Sequence, residues 1–342
     1  MLRSDPGRSS VRRRTSNRPD AMSFSLRLRS PVRLLVDLAL LVLLLILSWH
    51  FKRFWWPTTQ RGFFCNDESL MYPYRESTVS PQLLHWLGVH LPLLFLVLLE
   101  GFLAWRRGGV STWRHLWPLW NTVRWFLYGH VFNSLLKSIG KETIGRLRPH
   151  FFAVCQPVLP DGGSCSDVAH RGGLVYHETY SCRPELSAAT EEMLTSLHVS
   201  FPSGHSAMAF YGLVFLALHL RHRRWPLRGS LLGPILQLGC LCVAWFVAIS
   251  RVMDYKHHWS DVVAGSLLGA VAAFVVVQAA KFEEAAHSHS HSITKVAATN
   301  ANGNEKEGLG LGLGLAVAVA DEAGRSPQLA HDLCLVTCQS SN

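Results

Sequence analysis

Charge is what this chain has least of. Only 16% of its 342 residues are Asp, Glu, Lys or Arg, against 49% apolar, and the mean hydropathy is +0.16. An ordinary soluble domain carries about 25% charged residues, so that class is excluded. Acidic residues are the scarcer sign, 23 against 33 basic, and the formal net charge is +10. A small-residue cleavage site is also missing after the first apolar run. That run starts some thirty residues in and is too long for a signal-peptide core, so it reads as a retained span. The final residues do not form a prenylation box, which removes that route to a membrane anchor.

What the chain has instead is long apolar runs. Six segments, about 33–51, 83–104, 117–139, 204–220, 230–250 and 262–281, each hold close to the number of apolar residues needed to cross a hydrocarbon core. Each must be helical, because lipid offers no partner to an open backbone N–H or C=O. The expected fold is therefore all-α: a six-span transmembrane helical bundle. Its parts are a basic N-terminal segment (1–30), the six-span domain (31–282) and a disordered low-complexity tail (283–342).

Orientation follows the basic residues. Arg3, Arg8, Arg12, Arg13, Arg14, Arg18, Arg27, Arg29 and Arg33 face only Asp5 and Asp20, which places the N-terminus in the cytoplasm. Arg106, Arg107 and Arg114 after the second span agree, as do Arg221, Arg223, Arg224 and Arg228 after the fourth. Lys52 and Arg53 dissent and are outvoted. Six spans return the C-terminus to the cytoplasm, and the positive charge needs no nucleic-acid partner. No external segment contains Asn-x-Ser/Thr, so N-glycans are not expected.

The tail changes composition at about 283, with a Ser/His alternation from His287 and "GLGLGLGLAVAVA" from Gly308. Both read as low complexity, and the His repeat is not assigned a metal. Cys334 and Cys338 read as an ordinary pair, and Cys240 and Cys242 as packing residues within a span. Cys65, Cys155, Cys165 and Cys182 fall outside, where disulfides are permitted, and the sequence leaves their three full pairings open. Gly265 and Gly269 form a G-x-x-x-G that suits close helix packing. Asp37 and Glu100 are costly in lipid and should face the bundle interior, with no partner legible for either.

Three polar constellations fall at span ends, all on the predicted outer side. The first is "KETIGRLRP": Lys141 and Arg148, seven apart, would share one face if the helix continues to Pro149, and two such cations suit an anion, Arg fitting phosphate through its fork. The second is "SFPSGHSAM", where Ser203, Gly204 and His205 put a hydroxyl, an approachable backbone and an imidazole at a helix start. The third is "SRVMDYKHHWSD". There Arg251 adds a cation, and His257 and Asp261 at i and i+4 would meet, the carboxylate taking one ring N–H and leaving the other nitrogen as a nucleophile. His258 is a second imidazole beside it, but only His257 has Asp261 at helical spacing. Together these describe phosphoryl transfer without a metal, the cations neutralising the equatorial oxygens. One histidine attacks phosphorus and another protonates the leaving alkoxide.

The spacings Lys-x6-Arg-Pro, Pro-Ser-Gly-His and Ser-Arg-x5-His-x3-Asp resemble the signature of the type 2 phosphatidic acid phosphatase superfamily, shared with vanadium haloperoxidases. Within it, "RGFFCNDESLMYPY", "GRLRPHF" and "SRVMDYKHHWSDV" resemble the lipid phosphate phosphatases of animal cells, Wunen-type members included, over roughly residues 30–282. The resemblance implies that Lys141, Arg148, Ser203, Gly204 and Arg251 bind phosphate, that His257 is the nucleophile oriented by Asp261, and that His205 is the general acid and later the base. It implies hydrolysis of lipid phosphates (phosphatidic acid, lysophosphatidic acid, sphingosine 1-phosphate, ceramide 1-phosphate) at the extracellular or lumenal face, without magnesium or any other cofactor, and it favours the plasma membrane. The expected partners are these lipids and the bilayer, and a homo-oligomer is compatible with the sequence. A headgroup transferase and a non-catalytic lipid-docking or transport protein remain the alternatives. Docking needs the cations but gains little from a nucleophile and an acid.

Overall fold

A computed structural model describes residues 30–54, 59–106, 113–167, 175–223 and 230–301. The Arg-rich N-terminal segment, most of the basic connections around 107–112 and 224–229, and the tail beyond 301 with its Gly-Leu run, Cys334 and Cys338 lie outside the described residues. Residues 1–43 and 44–342 form two units. Of the first, the described part is one helical stretch with exposed Leu35, Val36, Leu38 and Leu40.

Among the described residues there are six long helices, one for each expected span: α1 (Ser30–Phe54), α2 (Pro81–Arg106), α3 (Trp113–Ile144), α4 (Gly204–His222), α5 (Leu232–Met253) and α6 (Trp259–Ala301). By length and composition, three stretches can cross a membrane: Pro81–Arg106, Leu232–Met253 and Trp259–Ala286; α1 carries a shorter apolar stretch, Leu34–Ser48. The helices α3 and α4 fall short for a physical reason. Helix α3 carries His130, Asn133, Lys137 and Lys141, and α4 is packed among other helices, with Ala207, Ala209, Tyr211, Leu213, Phe215 and Leu216 all buried. A helix shielded by its neighbours need not be as apolar as one facing lipid. Helix α5 shows the opposite pattern: Ile235, Leu238, Trp245 and Phe246 are exposed, while the small Ala244, Ala248 and Ser250 turn inward. Helix α6 continues as helix past 283, where the sequence reading begins its disordered tail.

Small residues set the closest helix approaches. A Cβ on Gly269 would lie 2.3 Å from the Ala207 carbonyl oxygen and one on Gly265 2.4 Å from that of Ser203, so the G-x-x-x-G seats α6 on α4. Gly212 likewise meets the Gly88 carbonyl, at the π-helical turn Trp86–His90 of α2. Around these contacts Leu96, Phe126, Tyr211, Phe215 and Ala273 form the apolar core, and the Tyr211 hydroxyl donates to the Phe126 carbonyl at 2.7 Å.

Polar contacts mark the two ends of this bundle. At one end Glu100 of α2, 1% exposed, pairs with Arg223 (Nη2–Oε2 2.6 Å) and His219 (2.9 Å) just past and within α4, and Arg223 reaches Glu284 of α6 at 2.6 Å. Glu100 thus gains the interior partners the sequence could not name. At the other end a cap forms from 59–80, 145–167 and 175–203. The strands β1 (Phe63–Phe64) and β2 (Tyr176–His177) pair antiparallel there, and Phe63 packs on Phe151, Phe152 and Tyr180. Disulfides Cys65–Cys165 and Cys155–Cys182 staple this cap and resolve the pairing that the sequence left open.

Candidate active site

All three constellations meet at the cap end. Their local geometry departs from the sequence reading in two places. The first concerns Lys141 and Arg148. Helix α3 stops at Ile144, because Gly145 adopts a left-handed conformation (φ +59°) and its N–H caps the Lys141 carbonyl at 3.3 Å. A side chain here would put Cβ 1.7 Å from the Thr59 carbonyl oxygen, so glycine is required twice over. Arg148 therefore does not continue the helical face of Lys141. It lies in the following segment, held by a backbone bond from its N–H to the Leu197 carbonyl at 3.0 Å.

In the second constellation Ser203 is the N-cap of α4. Its hydroxyl oxygen accepts from the N–H (3.4 Å) and the hydroxyl (3.0 Å) of Ser206, and its own N–H donates to the Asp261 carbonyl at 3.0 Å. Its first task is thus to cap and position the helix. Gly204 lies under the lysines: a Cβ there would be 3.2 Å from Lys137 Cδ and 3.7 Å from Lys141 Nζ. The His205 ring bonds to the Val79 carbonyl, and its Nε2 is buried without a hydrogen-bond partner.

The second departure is at His257. Its Nδ1 donates to the Ser200 carbonyl at 2.7 Å, whereas the nearest Asp261 oxygen is 3.9 Å away, too far for a hydrogen bond. The expected direct pair is not made. His257 precedes α6, so the i, i+4 rule has no helix to act through, and Asp261 Oδ2 instead receives the His258 N–H (3.1 Å) and ring Nδ1 (3.3 Å). Spacing to Asp261 therefore does not separate the two histidines. Their surroundings do: His257 is 4% exposed, and a carbonyl can only accept, so it fixes the proton on Nδ1 and leaves Nε2 with its lone pair.

The electrostatics follow from the convergence of cations. Burial first, then Arg148, Lys141, Arg251 and His205, hold the His257 imidazole well below its ordinary range, so it is neutral at pH 7. Arg148, Lys141 and Arg251 also lie within electrostatic range of His205. Burial and the adjacent Arg251 guanidinium bring Arg148 down to about 10. The Nε atoms of Arg148 and Arg251 are both buried and unpartnered, polar groups suited to an anion's oxygens.

Several contributors escaped the sequence reading. Arg251 is steadied by Asp254 (3.4 Å), the Val79 carbonyl (3.4 Å) and Ser77 (3.3 Å), and Asp254 in turn accepts the Thr78 N–H at 2.8 Å and hydroxyl at 2.7 Å. Lys256 sits 3.5 Å over the Tyr74 ring, and burial followed by Arg148 and Arg251 lowers it to about 8. Asp254 and Lys256 stand inside the third motif, but the Thr78 and Tyr74 partners are nearly two hundred residues away and leave no local signal. Cavities of about 260 Å³ beside His219 and Glu284, and about 350 Å³ beside Cys165 and Arg183, are lined by none of the candidate phosphate-binding or catalytic residues. Among the described residues no cluster of three or more His, Cys, Asp or Glu is arranged to hold a metal.

Comparison with known proteins gives one family. The model described as the PAP2 superfamily matches residues 122–284. A Drosophila melanogaster protein named for phosphatidate phosphatase activity is 39% identical over 232 residues, 64% of this chain and 60% of its own length. Phospholipid phosphatase 1 of Rattus norvegicus is 38% identical, covering 64% of this chain and 74% of the relative. Phospholipid phosphatase 2 of Bos taurus is 34% identical, covering 64% and 72%. The chain thus spans about 60% of the length of the fly relative and nearly three quarters of the mammalian ones.

Proposed function

The chain belongs to the PAP2 superfamily, and from that premise we propose that it is a membrane lipid phosphate phosphohydrolase working through a phosphohistidine. One observation carries the reading: the neutral, buried His257 is held through Nδ1 with its Nε2 lone pair free, beside Lys141, Arg148 and Arg251. The relatives' names, phosphatidate and phospholipid phosphatase, support a lipid phosphate monoester as substrate. Phosphatidic acid, lysophosphatidic acid, sphingosine 1-phosphate and ceramide 1-phosphate are the expected members of that class.

In the first step Nε2 of His257 bonds to phosphorus and the P–O bond to the lipid alkoxide breaks. Lys141, Arg148 and Arg251 neutralise the equatorial oxygens, in a site where fixed charges act more strongly than in water. His205 gives its proton to the alkoxide, and a bound phosphate dianion favours the protonated form that this step needs. In the second step His205 takes a proton from water, the water oxygen bonds to phosphorus, and the P–N bond breaks to release inorganic phosphate. Gly204 lets the backbone approach the phosphate, and Ser203 sets the start of α4 beneath it.

An extracellular or lumenal site is supported by the two disulfides that staple the cap, since disulfides persist in an oxidising compartment. At that depth a lipid keeps its chains in the bilayer while its headgroup meets the helix ends, and hydrolysis there would attenuate lipid signals at the plasma membrane. The test is phosphate release from lysophosphatidic acid by the purified chain in detergent with excess EDTA, compared with His257→Ala. Release that survives EDTA and vanishes in the variant is expected. No release by wild type from several lipid phosphates overturns the reading in favour of headgroup transfer or lipid docking.

A further inference from the structure

The segment "GRLRP" carries two arginines, and the structure gives them different partners. Arg148 belongs with Arg251, Lys141 and the two histidines. Arg146 donates from Nη1 to Asp261 Oδ1 at 2.6 Å and to the Ser260 hydroxyl at 2.7 Å. Asp261 is fully buried, and its other oxygen accepts the Ser200 hydroxyl at 2.6 Å. The Ser200 carbonyl accepts Nδ1 of His257 at 2.7 Å, and the Ser200 N–H donates to the Arg146 carbonyl at 3.0 Å.

We propose that Arg146 and Ser200 are positioning residues which, with Asp261, form a chain Arg146–Asp261–Ser200–His257 that fixes the tautomer and aim of the nucleophile. This rests on the hydrolase reading above for its catalytic consequence, though not for its geometry. A carboxylate with no solvent must be paired and hydrogen-bonded, and Arg146 is the arginine that reaches it, while the His258 N–H and ring share Oδ2 with Ser200. So anchored, Asp261 holds the Ser200 hydroxyl, and the Arg146 carbonyl holds the Ser200 N–H, fixing the peptide from both sides. Among the described residues the Ser200 carbonyl is the acceptor at 2.7 Å that selects the His257 tautomer, since the Ser200 hydroxyl is 3.5 Å from the same nitrogen and is committed to Asp261. When Nε2 bonds to phosphorus the ring becomes cationic. The carboxylate 3.9 Å away then opposes the three phosphate-side cations.

The two arginines should therefore fail differently. In the purified full-length chain, Arg146→Ala and Ser200→Ala are expected to lower kcat about 10- to 100-fold, the scale of a misplaced reacting group, with KM within about twofold of wild type. Arg146→Lys should recover most of kcat, because a single cation still reaches Asp261. Arg148→Ala should raise KM as well as lowering kcat. An Arg146→Ala variant that raises KM as Arg148→Ala does, or that keeps wild-type kcat, overturns the proposal. If Arg146→Ala does not fold, Ser200→Ala decides, since it removes one hydroxyl, and an unchanged kcat there overturns the proposal equally. Nitrogen-15 spectra of histidine-labelled protein give a readout that needs no turnover. His257 should be a pure Nδ1–H tautomer in wild type and predominantly so in Arg146→Lys, but a mixture with more of the Nε2–H state in Ser200→Ala and Arg146→Ala. Identical spectra in wild type and the alanine variants sink the relay. A wild-type chain that releases no phosphate but shows the tautomer change overturns the hydrolase reading while leaving the relay standing.

Discussion

Gly265→Ala should damage the site without touching any group in it. The added methyl carbon would lie 2.4 Å from the Ser203 carbonyl oxygen, where side-chain carbons essentially never come within 3.0 Å. The helices α4 and α6 must then part by at least 0.6 Å, the difference between 3.0 and 2.4. That contact lies between the two halves of the chemistry: Ser203 caps the helix that begins with Gly204 and His205, and its N–H is tied to the Asp261 carbonyl. Misplacing reacting groups by about 1 Å costs roughly 100-fold in rate, so a shift of this size should lower kcat roughly tenfold. Stability should fall by about 1–3 kcal/mol from overpacking, less the ~0.5–1 kcal/mol that alanine contributes over glycine inside a helix. Gly239→Ala on α5 is the control, since a Cβ there meets nothing within 4 Å. It should keep wild-type kcat and be neutral or slightly more stable. The assay pairs kcat for phosphate release with the thermal midpoint in one detergent. A Gly265→Ala chain with kcat within twofold of wild type and an unchanged midpoint would refute the coupling of helix approach to site geometry.

The candidate site is built from a few residue types, which is why the sequence marks its members so readily. Lys141, Arg148, His205, Arg251 and His257 stand in short motifs at apolar-run ends, and a bundle of antiparallel helices has few ways to arrange alternate ends other than together. Local geometry was less legible, because helical spacing rules hold only inside helices. Gly145 ends α3 between Lys141 and Arg148, and α6 begins after His257, so both expected i-to-i+n contacts fall across a helix boundary. Contacts distant in sequence were invisible for a plainer reason. Ser200 carries no mark of its distinction, Glu100 finds Arg223 more than a hundred residues away, and four cysteines admit three pairings until the chain is folded. Helices α3 and α4 are expected as spans from their apolar runs, yet among the described residues they are not apolar enough to count as such: α3 carries His130 and Lys137, while α4 buries most of its side chains among other helices.

Removing a disulfide should destabilise more the longer the loop it closes, with a logarithmic dependence on length. By chain entropy the Cys65–Cys165 bridge, closing 100 residues, contributes about 4.7 kcal/mol, and Cys155–Cys182, closing 27, about 3.5 kcal/mol. Paired Cys→Ser variants compared by thermal unfolding should rank in that order, and equal midpoints for wild type and both variants would contradict the stapled cap. Glu100→Ala strips Arg223 and His219 of their buried partner and should cost about 3–5 kcal/mol. A midpoint unchanged in that variant would show that Glu284 alone satisfies Arg223. The last expectation concerns pH. Burial holds His150 down at about 4 and His257 well below the ordinary imidazole range, the latter helped by Arg148, Lys141 and Arg251. Above the unfolded histidine value of about 6.5 both states are neutral at these rings, and the native state keeps its full stability. As pH falls below that value the unfolded chain takes up protons that the folded chain refuses, so stability is lost progressively down to the folded value near 4 for His150. The thermal midpoint of the ligand-free protein should therefore drop between pH 6.5 and 4.5, and His150→Gln should flatten part of that slope. The amide keeps a donor for the Tyr255 carbonyl, which His150 Nδ1 now meets at 2.7 Å, but takes up no proton. A slope identical in wild type and His150→Gln would show that this ring is protonated as readily in the folded chain as in the unfolded one.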